Sequence, residues 1–183
     1  MLAACPPCCC NDIVHINPYG RDPVLLAVDL VNDPPRSPDD LRARCVTAGL
    51  VITGPVGRPE HDEMCRFLDA WVEVVDADEP TERAERLNAL LAASAAYPRL
   101  TDHVGTGWHI HYRDDDMTTP GVVRALVSVG TALHLAGRGM HRLGRCAAQG
   151  CTLVYADLSR TGRQRYCTPA CANRDAVRRH RSR

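Results

Sequence analysis

Lysine is absent from the chain of 183 residues: all 22 of its basic residues are arginine. Every cation is therefore a planar, permanently charged guanidinium whose forked donors suit carboxylate and phosphate. Such exclusivity matches GC-rich codon usage, which also favours Ala, Gly and Pro. Aromatic residues are scarce, with two Trp, five Tyr and one Phe. No run approaches 18 consecutive apolar residues, which excludes a membrane-spanning helix by length. The first ten residues, Met1 to Cys10, lack the basic start and long apolar stretch of a secretory signal, so the expected location is cytoplasmic. In a reducing compartment the ten cysteines are not expected to form a disulfide framework.

The formal net charge of zero hides a strong asymmetry. Residues 1–137 hold 11 Arg against 20 Asp and Glu, a net of −9, whereas residues 138–183 hold 11 Arg against Asp157 and Asp175, a net of +9. An acidic body followed by a basic tail points to a polyanionic partner for the tail.

The periodicity predicts a mainly α-helical protein in three parts: an irregular tail over 1–21, a helical domain over 22–141 and a zinc-binding module over 142–183. Pro6, Pro7, Pro18 and Gly20 punctuate the tail. The apolar run Val24 to Val31 is too short for periodicity to separate helix from strand. Ser37-Pro38-Asp39-Asp40 reads as an N-cap, a first-turn proline and two carboxylates at the positive helix end, predicting a helix over about 38–48 stopped by Gly49. Met64, Phe67, Leu68, Trp71, Val72 and Val75 form one continuous helical stripe between Pro59 and Asp76. A further stripe of Ala84, Leu87, Leu91, Ser94 and Ala95, with a charged opposite face, ends before Pro98. Trp108 to Tyr112 alternates as one short strand would. Thr119-Pro120 then opens a helix whose expected buried face is Val122, Leu126, Val129, Leu133, Ala136 and Met140, running into the tail without a flexible linker.

The chemistry lies in four cysteines. Cys146, Cys151, Cys167 and Cys171 form two close pairs separated by fifteen residues, the ligand pattern of a closed tetrahedral structural zinc site. Leu153-Val154-Tyr155 reads as a strand, Ser159 to Gly162 as a turn, and Arg163 to Tyr166 as a returning strand that would bring the pairs together. Thr168-Pro169 opens a terminal helix with Cys171 in its first turn, where a thiolate gains from the helix dipole. So small a module cannot bury enough apolar surface to fold alone, so one structural Zn²⁺ is expected to hold it together.

With these residues in view the chain resembles a known pairing. Asp157, Ser159, Gly162, Arg165, Tyr166-Cys167 and Cys171-Ala172-Asn173-Arg174 resemble the CGNR-type zinc finger found at the C-terminus of bacterial proteins. Leu25 to Asn32 and His109-Ile-His111 resemble the helical ABATE domain that accompanies that finger. The resemblance implies a treble-clef-like finger and a stress-induced transcription regulator that binds DNA. One departure is visible: Ala172 stands where the family name has glycine.

The arginines lie where such a partner would need them. Arg163 and Arg165 alternate onto one face, and Arg174, Arg178 and Arg181 recur along the terminal helix with Arg179 and Arg183 nearby. The expected function is zinc-dependent DNA binding; the alternative is a zinc-stabilised protein-interaction module. His109-Ile-His111 followed by Asp114 only partly resembles a metal-binding HXHXDH run, since Arg113 occupies the aspartate position, and no catalytic site is expected. Trp108, His109 and His111 are instead the candidate pocket for a small-molecule effector or a protein partner. Cys5-Pro-Pro-Cys8 is formally a redox motif, but it lies in a segment without helical pattern. Cys45 and Cys65 read as small core residues.

Overall fold

The computed structural model describes residues 21–50, 54–102 and 108–181. The Cys5–Cys10 cluster, nearly all of the expected irregular tail, Gly105, Gly107 and Arg183 lie outside the described residues. The ambiguous apolar run is a helix, α1 (Arg21–Asn32), whose Val24, Ala27 and Leu30 are wholly buried. Helix α2 (Pro38–Thr47) starts as its residues dictate: the Ser37 hydroxyl accepts the Asp40 N–H at 3.2 Å, and Gly49 ends the segment at φ +84°. Helix α3 (Arg58–Asp76) begins with the Gly57 N–H donating to the Glu60 carboxylate at 2.9 Å, half of a capping box. Its stripe is buried as expected except that Val72 is half-buried and Val74 is wholly buried.

Helix α4 (Pro80–Ser94) follows, then a two-stranded antiparallel sheet of β1 (Arg99–Thr101) and β2 (His109–His111). The expected single strand thus has a partner, with Leu100 opposite Ile110. Helix α5 (Thr119–Arg138) is capped by Thr118 and lies at the centre of the body, packed by α1, α3 and α4. It has the length and apolar composition of a membrane span, and those apolar residues fill the core.

The buried face of α5 differs from the one the stripe predicts. Val122, Leu126 and Leu133 are half-buried, Ala136 is exposed, and Met140 lies beyond the helix, whereas Val123, Val127 and Leu135 are buried. The buried side also carries Ser128, Thr131 and His134, which a reading by hydrophobicity places outward. Each has a partner: Trp71 Nε1 donates to Thr131 at 2.9 Å, Ser94 donates to Ser128 at 3.0 Å, and His134 Nε2 lies 3.4 Å from the Arg142 carbonyl. Burial lowers the His134 pKa, so the ring sits neutral in this helix-packed interior.

At Gly139, φ +114°, the chain leaves α5 and makes one 3-10 turn over Met140–Arg142. It then enters strand β3 (Leu143–Arg145), which pairs antiparallel with β4 (Val154–Ala156). Leu143, Val154 and Ala156 join the apolar core of the body. The terminal helix α6 (Pro169–Arg181) completes the chain.

Three polar contacts fasten this hairpin. The Asn32 side chain donates to the Val154 carbonyl at 2.9 Å and accepts the Val154 N–H at 2.8 Å, so α1 satisfies the free edge of β4. Arg145 makes a forked ion pair with Asp76 at the end of α3, at 2.7 and 2.8 Å. Arg83, a charged residue in the first turn of α4, is buried. Its guanidinium donates to the carbonyls of Val75 at 3.0 Å, Ala77 at 2.6 Å, Leu143 at 3.3 Å and Met140. One guanidinium thereby ties together the end of α3, the start of α4 and the entry to the hairpin.

Replacing Arg83 by Met keeps the aliphatic stem but leaves those carbonyls without their donor. The expected loss of stability is about 2–4 kcal/mol by urea unfolding, because stranded buried acceptors cost about 1–3 kcal/mol each and some regain water. A loss below about 0.5 kcal/mol would refute the role given to Arg83.

Candidate metal centre and cationic face

Cys146 follows β3 directly, and its N–H donates to the Leu153 carbonyl at 2.8 Å, while the Cys151 N–H donates to Ala148 at 3.0 Å. The second pair comes from the start of α6. Thr168 caps that helix by accepting the Cys171 N–H at 3.2 Å, and Cys167 precedes the cap. All four sulfurs lie within 4.8 Å of one another. Cys151 to Cys167, Cys167 to Cys171 and Cys171 to Cys151 are 3.8, 3.6 and 3.9 Å apart. A tetrahedral zinc with Zn–S bonds of about 2.3 Å places its sulfurs about 3.8 Å apart, so the donor set fits one structural zinc ion.

The electrostatics agree. Burial disfavours the Cys146 thiolate, yet N–H groups of Cys167 and Ala148 and the thiols of Cys167 and Cys151 bring its pKa down to about 7. Burial and the neighbouring Cys171, Cys146 and Cys151 thiols push Cys167 up to about 12. Without a cation the first negative charge opposes the rest; a divalent ion removes that conflict. Zinc with four thiolates is still doubly negative, and Arg174 donates to the Cys171 sulfur at 3.4 Å.

The connection between the pairs is not the expected hairpin. Residues 163–166 form no strand, and the partner of β4 is β3. The reason is Asp157, whose buried carboxylate accepts the Ser159 N–H at 2.8 Å and the Gln164 N–H at 3.0 Å. A donor that a strand would offer to its neighbour is thus already taken, and the surviving backbone link is Ala147 N–H to the Arg165 carbonyl at 2.8 Å. Arg142 lies 3.4 Å from Asp157 and donates to the Ser159 carbonyl at 2.7 Å. Burial works against the charge on Asp157, but Ser159, Gln164 and Arg142 hold its carboxyl below the usual carboxylate range. Gly162 has φ +68°, and a Cβ there would sit 2.7 Å from Arg142 Cζ. The Asp-x-Ser-x-x-Gly spacing was the only local sign of this knot; its partner Arg142 is supplied from fifteen positions before the aspartate.

Arg163, Arg165, Arg174, Arg178, Arg179 and Arg181 are all exposed, and so is Arg160, which sequence reasoning passed over. Asp175 is buried beneath α6 and accepts the Tyr166 hydroxyl at 2.8 Å. Arg178 and Arg179 reach it at 2.9 and 3.2 Å. The Tyr166 hydroxyl and Arg178 hold the Asp175 carboxyl below its ordinary range. Ala172 lies inside α6 with its N–H on the Thr168 carbonyl at 3.2 Å, where alanine is a better helix former than glycine.

Of the candidate effector residues, Trp108 stands 73% exposed, while His109 and His111 are half-buried with their Nε2 atoms 3.1 Å apart. His111 Nδ1 lies 3.6 Å from Asp115. Cys45 is buried in the core and Cys65 is half-buried near His61.

Two family models match. Residues 25–157 match ABATE, described as "Putative stress-induced transcription regulator", and residues 142–183 match the CGNR zinc finger. No curated protein matches the chain. The two matches overlap over 142–157, the segment that contains β3 and β4 and supplies Cys146 and Cys151.

Zinc content of the purified chain is expected to be about one per molecule and to be lost in Cys171→Ser, since ligation contributes on the order of 10 kcal/mol to such modules; full zinc in the variant would remove the cluster from consideration. Gly162→Ala is expected to lower stability or zinc retention under chelator by about 1–3 kcal/mol, through a forced positive φ and displacement of Arg142. Unchanged chelator resistance would show that the Asp157 knot does not support the cluster.

Proposed function

The chain belongs to the ABATE family, and from that membership and its cationic finger we propose that it is a zinc-dependent, DNA-binding transcription regulator acting in the cytoplasm. The observation that carries this reading is the fate of the acidic groups. Asp157 and Asp175 are the only carboxylic side chains in residues 138–183, and they are 1% and 6% exposed. Both are consumed by internal hydrogen bonds and ion pairs. The finger therefore turns arginines to solvent with no acidic surface among them, an arrangement that attracts phosphate and is costly to keep unless a polyanion uses it.

The zinc ion supplies a cross-link and no reactivity, because four thiolates close its shell. Cys146 and Cys151 fix the β3–β4 hairpin to the start of α6 through Cys167 and Cys171. Thr168 caps that start, and Asp175 with Tyr166 fixes how α6 lies on the finger. The protein is proposed to be non-catalytic. Signal input is assigned to the helical body, with the hairpin bearing Trp108, His109 and His111 as the contact for a small-molecule effector or a protein partner.

Binding of the zinc-loaded full chain to a random-sequence DNA duplex, followed by fluorescence anisotropy, tests the reading. With about four phosphate contacts, affinity should fall about a hundredfold as salt rises from about 50 to about 200 mM. Arg163→Ala with Arg165→Ala should weaken binding by about tenfold at the lower salt, as expected for two lost phosphate contacts. Absent or salt-insensitive binding would favour a protein-interaction module instead.

A further inference from the structure

Helix α6 is held to the finger along a narrow line. Cys171 and Asp175, one turn apart, are its buried residues, and the rest of its circumference beyond half-buried Ala172 is open to solvent. At 100° per residue, Asn173, His180 and Val177 fall on the side opposite that line, with Arg181 and Arg174 at its border. Asn173, Arg174, Val177 and Arg181 line one continuous shallow groove with Arg178. Val177 is 51% exposed in the middle of this basic helix, an apolar side chain half open to solvent. Arg178 and Arg179 differ in kind: they leave the helix on its two flanks, and both are drawn back to the same buried carboxylate, Asp175.

We propose that α6 is a recognition helix that enters the major groove of B-form DNA, with a division of labour around its circumference. The outward residues Asn173 and Val177, with Arg181 at the border, face base edges, and the flanking Arg178 and Arg179, braced by Asp175, hold the phosphates on either side of the groove. This rests on the DNA-binding reading above and adds which face of the finger reads sequence. The chemistry of the outward stripe is that of direct readout: asparagine pairs with the adenine edge, arginine with guanine, and an aliphatic side chain covers the thymine methyl. Size agrees as well. A helix of 13 residues is about 20 Å long and fits a groove about 12 Å wide when three of its sides are free. Flanking cations fixed by a buried acid suit the phosphate rows, because a phosphate contact needs position but no sequence information. Arg174 also touches the Cys171 sulfur, so it is left unchanged in the test below.

The test selects duplexes from a random pool with zinc-loaded full-length protein and then measures the salt slope on the selected sequence and on random duplex. Asn173→Ala with Val177→Ala should alter the selected motif, weaken preference for the original motif about tenfold or more, and leave the salt slope unchanged. Arg178→Ala with Arg179→Ala should keep the motif and reduce the slope by about two, one for each lost phosphate. All four positions are exposed on a helix, where alanine is a good former, and equal zinc content identifies intact variants. A wild type that binds duplex without enriching any motif, or an unchanged motif in Asn173→Ala with Val177→Ala, would overturn the recognition-helix assignment while leaving DNA binding in place. A wild type that binds no duplex even at low salt would overturn both.

Discussion

Four thiols gathered within 4.8 Å are the constraint on which the finger depends. Outside its β3–β4 strands the finger has almost no apolar core: the buried apolar residues there are Cys146, Ala148 and Cys171, with Cys151, Tyr166 and Cys167 packed against them. The ligands are thus also the core, so losing the ion removes packing and cross-link together. A row of exposed arginines on α6 gains no stability from its own surface and repels itself. It persists because α6 is pinned at its first turn by two thiolates and farther along by Asp175.

The finger is not an independent bead on a linker. The β3–β4 hairpin contributes Leu143, Val154 and Ala156 to the core of the helical body while Cys146 begins the metal cluster immediately after β3. Asn32, Arg83 and Asp76 bind this hairpin from α1, α4 and the end of α3. The overlap of the two family matches over 142–157 has its physical counterpart here: the same strands are the edge of one core and the scaffold of the other. The hydrogen bonds from α1, α3 and α4 therefore end on the same strands that lead into the zinc ligands.

Local signals were legible in the sequence and non-local ones were not. The caps of α2 and α6 and the stripe of α3 depend on residues within a few positions of each other, and all three form as expected. The zinc ligands were legible because coordination fixes residue type and spacing together. The facing of α5 was not, since a helix packed from several sides buries polar residues wherever a distant partner exists; Thr131 meets Trp71 and Ser128 meets Ser94. Arg83 follows the same rule, with carbonyls from three segments replacing its water. The alternating Arg163-Gln164-Arg165-Tyr166 imitates a strand, but Asp157 takes the Gln164 N–H and leaves an irregular segment in place of a ladder.

The charge asymmetry gains a structural meaning from where the ion pairs fall. Arg142, Arg178 and Arg179 pair with the finger's own Asp157 and Asp175, and the body's acid reaches the finger through Asp76 on Arg145, at the hairpin and away from α6. The negative charge of the body therefore does not quench the cationic helix by contact. It acts at longer range, and within a Debye length of about 8 Å at physiological salt it opposes approach of the body to a phosphate backbone. On the proposed DNA-binding reading, an acidic body joined to a basic finger restricts how a polyanion would dock: close contact would be favourable through α6 and the 160–165 loop and unfavourable through the helical surface. The forked Arg145–Asp76 pair and the Asn32 clamp join that body to the hairpin from which the finger's cysteines extend.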